Sequence, residues 1–104
     1  METRKHPRFA VKWPVSYWND GVFGQGTVVN VCHGGCRIAG TIAATVGMRL
    51  ELSISPRSKD DPLCIAEAEV RWTKNDQFGL EFRRIATLDR VELIGFLENL
   101  NASS

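Results

Sequence analysis

Cys64-Ile65-Ala66-Glu67-Ala68-Glu69-Val70-Arg71-Trp72, followed by Asn75-Asp76 and then Phe78-Gly79-Leu80-Glu81-Phe82, decides the architecture. Apolar and more polar residues alternate in both halves, which is the period of a strand with one buried face. Cys64, Ala66, Ala68, Val70 and Trp72 fall on one face of the first half, and Glu67, Glu69 and Arg71 on the other. Asn75-Asp76 supplies the turn between the halves.

Towards the N-terminus the same period recurs. Met48, Leu50, Leu52 and Ile54 mark a strand before this hairpin. Earlier ones run from about Gly26 to Val31 and from Cys36 to Ala39, joined by Cys32-His33-Gly34-Gly35. Phe9, Val11, Trp13, Val15 and Tyr17 mark the first strand, which ends at the turn signal Asn19-Asp20-Gly21. Pro14 has no N–H to give, so an edge or a bulge is expected there. The stretch from Pro56 to Pro62, rich in Ser, Lys and Asp, is an exposed loop and the best candidate for mobility.

Beyond Arg84 the period changes. Thr87 can cap a helix, and Leu88, Val91, Ile94, Leu97 and Leu100 recur at steps of three. Gly95 inside that helix costs about 1 kcal/mol relative to Ala, so the helix relies on packing for its stability. Six short strands and one helix predict an all-β fold: a six-stranded antiparallel β-barrel with one C-terminal α-helix covering an end. One domain spans 1–104, with an arm at 1–8, the barrel at 9–83 and the helix at 87–100.

The 104 residues suit a single domain, and 43% hydrophobic residues suffice for its core. No apolar run reaches the roughly 18 residues that a membrane span needs, and the charged start carries no signal-peptide pattern. Cys32, Cys36 and Cys64 are too few and odd in number for a disulfide framework. A cytoplasmic protein is expected. The formal net charge of +1 argues against DNA or RNA as a partner, because phosphate-backbone binders are usually strongly basic.

Two local patterns carry chemistry. Between Arg4 and Lys12 there are two arginines, two lysines and a histidine with no acid. Such a stretch is either a solvated tail or an anion-attracting arm. Pro7 disfavours helix at His6, so Arg4 and Arg8 lie on extended or turned chain. Two guanidiniums there can clamp phosphates in bidentate fashion, meet the O6/N7 edge of guanine, or stack on a purine. In Asn30-Val31-Cys32-His33-Gly34-Gly35, Asn30 offers a donor and an acceptor to a base edge. The glycines allow close approach to the main chain, or simply make an inter-strand turn. Cys32-His33-x-x-Cys36 fits no structural zinc spacing. A Cys32–His33 thiolate pair lacks a third orienting residue, and strand neighbours point to opposite faces. No metal site, catalytic residue or enzyme activity is expected.

Together the two patterns resemble the PilZ domain family, whose signature is R-x-x-x-R followed by [D/N]-x-S-x-x-G. Arg4 and Arg8 match the first motif, and Asn30 and Gly35 match the ends of the second. Val70-Arg71-Trp72 and Phe78-Gly79-Leu80-Glu81-Phe82 look like the family's last hairpin, and a C-terminal helix after it is usual. The resemblance implies a cyclic di-GMP site outside the barrel, with no other cofactor. It implies that Arg4 and Arg8 contact phosphate and guanine, Asn30 bonds a guanine edge, and Gly35 permits a close turn. Cys32 stands where the family has serine, and a thiol is a weaker hydrogen-bonding group. Lys5, His33 and Gly34 flank these positions. Trp72 is either a core residue or an aromatic near the ligand. The implied function is a stand-alone cyclic di-GMP receptor of bacterial second-messenger signalling, which changes conformation and acts through an unidentified downstream protein. The alternative is a degenerate PilZ domain that no longer binds the nucleotide and works as a protein-interaction module.

Overall fold

Alternating strands with one apolar face bury it most completely when the sheet closes on itself. The computed structural model, which describes residues 7–40, 44–56 and 61–103, shows that closure. The strands are β1 Phe9–Asn19, β2 Val22–Cys32, β3 Gly35–Gly40, β4 Arg49–Ile54, β5 Leu63–Lys74 and β6 Gln77–Arg84. They pair in the order β1-β2-β3-β6-β5-β4, and β4 returns to β1 to complete an antiparallel barrel. A single helix, α1 at Thr87–Ser103, follows. Element bounds differ from the sequence expectation by a few residues: β2 begins at Val22 and not Gly26, β3 at Gly35, and β4 at Arg49. The helix continues past Leu100.

Val15, Tyr17, Val28, Val31, Ile38, Leu50, Leu52, Ile54 and Val70 fill the barrel, with Leu93 and Leu97 of α1 joining the same core. Tyr17 meets Phe78 edge-on at 5.2 Å between ring centroids, a favoured aromatic geometry. The turn at Asp20-Gly21 is closed by Asn19, whose Oδ1 accepts the Gly21 N–H at 2.9 Å.

Pro14 sits at an edge of the β1–β4 pairing, one of the two placements expected for it. The β1 irregularity lies between Ala10 and Trp13, and Pro14 itself pairs with Thr27. Its carbonyl accepts the Ser55 N–H at 2.8 Å, so its missing N–H also faces the β4 side. The β1–β4 register begins at Val15–Ile54, so Pro14 stands opposite Ser55 at the end of that ladder, where only the one bond it cannot give is missing.

The buried face of β5 is also corrected. Leu63 and Ile65 point inward, Cys64 and Ala66 outward, and then Ala68 and Val70 point inward. Leu50 pairs with Ala68 but Leu52 with Ile65, so β5 holds one residue more than β4 over that stretch. A bulge of this kind inverts the phase of everything beyond it.

The helix also departs from the sequence expectation. A step of three backs around the helix by about 60° each time, so Leu88 to Leu100 cannot share one face. The packed face is Leu93, Phe96, Leu97 and Leu100, spaced by three and four. Phe96 lies against Trp13 of β1 at 5.8 Å between ring centroids. Asp89 accepts the Cys64 N–H at 3.0 Å and ties the first turn to β5. Leu88, Val91 and Ile94 are exposed. The Arg90 N–H bonds to the Ala86 carbonyl, so Ala86 and not Thr87 occupies the cap position.

These faces separate in denaturation. Leu93→Ala should lose about 2–5 kcal/mol by leaving a cavity between helix and barrel, whereas Val91→Ala should stay within about 0.5 kcal/mol. Urea unfolding of both variants measures this, and equal losses would contradict the packing described.

Candidate ligand-binding site

Two further bulges build a groove on the outside of the barrel. In β2, Val28 pairs with Ile38 but Asn30 pairs with Arg37, so Val29 is one residue in excess. Val28 and Val31 consequently both face the core, while Asn30 and Cys32 between and beyond them turn outward. In β5, Val70 pairs with Leu80 but Trp72 with Gly79, so Arg71 is in excess. In a regular strand Trp72, two residues beyond Val70, would point inward with it. With the bulge, Trp72 turns out and is 40% exposed. Its reading as a core residue is thereby corrected.

Gly79 makes this placement possible. A Cβ built there would collide with Nε1 and Cε2 of Trp72, so the indole lies across the bare strand. Arg37 is the cross-strand neighbour of Gly79 on one side and of Asn30 on the other. Asn30, Arg37, Gly79 and Trp72 thus form a row across four adjacent strands. Arg8 closes one end of the groove, and Cys32, Gly34 and Gly35 line its β2–β3 side. The enclosed volume is about 360 Å³, within the range of small-molecule sites.

Gly35 is required by crowding and not by an unusual turn. A Cβ there would strike the Leu80 carbonyl oxygen of β6, whereas one on Gly34 would meet nothing within 4 Å. The Gly34 carbonyl accepts the Phe82 N–H at 2.8 Å, which fastens the His33-Gly34 turn to β6.

The groove is positive. Arg8, Arg37 and Arg71 line it against one carboxylate, Glu81. Glu81 Oε1 accepts hydrogen bonds from Arg71 at 3.2 Å and Arg83 at 3.3 Å, so its charge is largely compensated. Arg71 and Arg83 also approach Glu69, at 3.8 and 3.9 Å. Arg37 has no ion-pair partner among the described residues. An anion entering here meets a guanidinium that needs no prior release. Cys36 lies beneath the groove, where burial above all, with Cys32 adding, pushes its thiol pKa far up. It remains a neutral, inert thiol.

Of the residues singled out from sequence, Arg8, Asn30, Cys32, Gly34, Gly35 and Trp72 converge here. His33 occupies the adjacent turn and does not line the groove. Arg4 and Lys5, and most of the arm at 1–8, lie outside the described residues. Sequence reasoning missed Arg37, Arg71 and Glu81. Arg37 had a signal: it is the only charged residue between Cys36 and Ala39. Arg71 falls on the expected polar face of β5, but nothing in the sequence sets it apart from Glu67 and Glu69 as a groove residue.

A family model described as PilZ domain matches residues 2–99. The chain belongs to the PilZ family. This is a cyclic di-GMP-binding family of effector modules, not enzymes. The PilZ domain described here is similar to Bacillus subtilis MotI/DgrA, an inhibitor of motility, with a TM-score of 0.81 at 21% identity. The match covers 100% of this chain and 54% of that one, so the chain spans about half the length of that protein. It is also similar to the PilZ domain of CeSA from a cellulose-synthesizing bacterium, with a TM-score of 0.70 at 14% identity, covering 91% of this chain and 98% of that one. At such identities the likeness speaks for the fold. No curated protein sequence matches. Among the described residues no helix is long and apolar enough to cross a membrane.

Gly79→Ala should lift the Trp72 indole from the groove floor. The indole N–H resonance of Trp72 should move while those of Trp13 and Trp18 stay. An unmoved Trp72 signal would mean that the ring does not lie on Gly79.

Proposed function

We propose that this groove binds cyclic di-GMP and that the domain is a receptor for it, passing the signal to a downstream protein in the bacterial cytoplasm. The observation that carries this reading is the convergence of Arg8 with Asn30, Cys32 and Gly35, which belong to a separate stretch of chain, on one positive groove. The ligand has two phosphates and two guanines, and the groove offers chemistry for both. Arg8, with Arg4 from the arm, meets phosphate and the O6/N7 edge of guanine in bidentate fashion. Asn30 bonds a guanine edge. Trp72 gives a base a flat face to stack on. Arg37, between Asn30 and Gly79, supplies a further guanidinium within reach of either group. Closing of the arm over the nucleotide is the conformational change that a partner would sense.

Titration calorimetry with cyclic di-GMP, beside GMP and cyclic di-AMP, tests binding directly. Arg4→Ala, Arg8→Ala and Arg37→Ala should each cost about 1–3 kcal/mol of binding, with little change in the melting temperature of the free domain. Arg71→Ala should cost less, because Arg71 is held by Glu69 and Glu81. An Arg8→Ala variant binding as tightly as the parent would remove the site.

Cys32 favours the rival reading, in which the domain has given up the nucleotide and binds only protein. A single neutral hydrogen bond separates the two. Cys32→Ser should tighten cyclic di-GMP binding by about threefold to tenfold, equivalent to about 0.6–1.4 kcal/mol. Absence of binding by parent and serine variant alike would establish the rival.

A further inference from the structure

We propose that Glu81 makes the groove selective for guanine, its carboxylate accepting the N1–H and N2–H of a base that lies on Trp72. This role rests on the groove being the cyclic di-GMP site proposed above, and it names the side chain that tells one base from another there. Guanine has two unlike edges: O6 and N7 accept hydrogen bonds, whereas N1–H and the N2 amino group donate them. Arg8, Arg37 and Arg71 can only donate, so they suit phosphate and the O6/N7 edge. The donor edge needs an acceptor. Of the charged side chains described in the groove, Glu81 alone is one. A carboxylate also accepts more strongly than the amide of Asn30 or the thiol of Cys32.

Its position fits that use. Glu81 stands two residues beyond Gly79 on the same face of β6, about 7 Å along the strand from the glycine that carries the indole. Its cross-strand neighbour on β3 is Gly35. Neither glycine has a side chain to cover the carboxylate. Arg71 at 3.2 Å and Arg83 at 3.3 Å both bond to Oε1. They occupy the lone pairs of that oxygen and fix the direction of the group. Among the described residues no hydrogen bond or ion pair reaches Oε2, which keeps its lone pairs for a ligand. The same two arginines offset the charge of Glu81, so it does not drive off the phosphates that arrive with the base. Their lattice does not depend on Glu81, because Glu69 also lies beside both, at 3.8 and 3.9 Å.

Adenine carries an amino group where guanine has O6, and a bare lone pair at N1. It would meet the arginines donor to donor and Glu81 acceptor to acceptor. Hypoxanthine is the sharper probe. It keeps O6, N7 and N1–H and lacks only the N2 amino group, so comparing it with guanine isolates one of the two bonds to Glu81.

Titration calorimetry of the parent and of Glu81→Gln with cyclic di-GMP and with its inosine analogue, cyclic di-IMP, tests the role. In the variant Arg71 and Arg83 hold the glutamine carbonyl oxygen on their side, which turns its NH2 group towards the base, donor against donor. The preference of the parent for cyclic di-GMP over cyclic di-IMP should fall about tenfold in Glu81→Gln. Loss of a negative charge would tighten both nucleotides alike, and a disturbed groove would weaken both alike, so neither changes the ratio. The ratio is also independent of the fraction of variant that is folded. A parent that binds the two nucleotides equally, or a preference that survives Glu81→Gln undiminished, would overturn the role of Glu81 and leave the cyclic di-GMP site standing. A parent that binds neither nucleotide would remove the site and the role of Glu81 with it.

Discussion

Between Val70 and Trp72, β5 carries one residue more than the stretch of β6 beside it, and β6 has no side chain at the position facing Trp72. Either condition alone would fail. With the extra Arg71 but a larger residue at position 79, the indole would be pushed off the strand. With Gly79 but no bulge, Trp72 would pair with Phe78 and its indole would be driven into a core already filled by Leu80 and Phe78. The groove floor exists because an insertion in one strand meets a deletion of bulk in the next. Val29 in β2 makes the matching adjustment on the opposite wall, turning Asn30 and Cys32 outward.

This arrangement keeps the core independent of the site. Val28, Val31, Val70 and Leu80 remain buried and contribute to stability, while their immediate neighbours face the groove. The barrel therefore tolerates substitution at Arg8, Arg37 or Asn30 without disturbing its packing. The lattice of Arg49, Glu67, Glu69, Arg71, Glu81, Arg83 and Arg84 across β4, β5 and β6 holds the far lip. Exposed pairs of this kind add little stability each. Here they fix Arg71 and offset the one carboxylate that would repel an anion.

The strands were legible because alternation is imposed by the pleat, and every strand shows it at least in part. The barrel followed from their number and spacing. The bulges were not legible. Val29 and Arg71 are ordinary strand residues, and nothing in their chemistry announces an insertion, yet they reverse the facing of Asn30 and Trp72. The inward facing that alternation predicts for Ala66 and Cys64 fails for the same reason. The helix failed differently: it is apolar on two sides, so Leu88, Val91 and Ile94 offered a pattern as good as that of Leu93 and Leu97. Arg8, Asn30 and Gly35 came through their motif spacing. Arg37, outside any motif, became visible only when its strand neighbours were known.

The indole spread over Gly79 has a practical consequence. Trp13 is packed against Phe96 and outside the groove, so its surroundings do not change when the groove fills. Trp72 is half open to water and forms the floor. A base stacked on that ring would draw off its excited-state energy, dimming and shifting its emission. The domain thus carries an intrinsic fluorophore at the place where occupancy matters, and it needs no label for filling of the groove to be followed in real time.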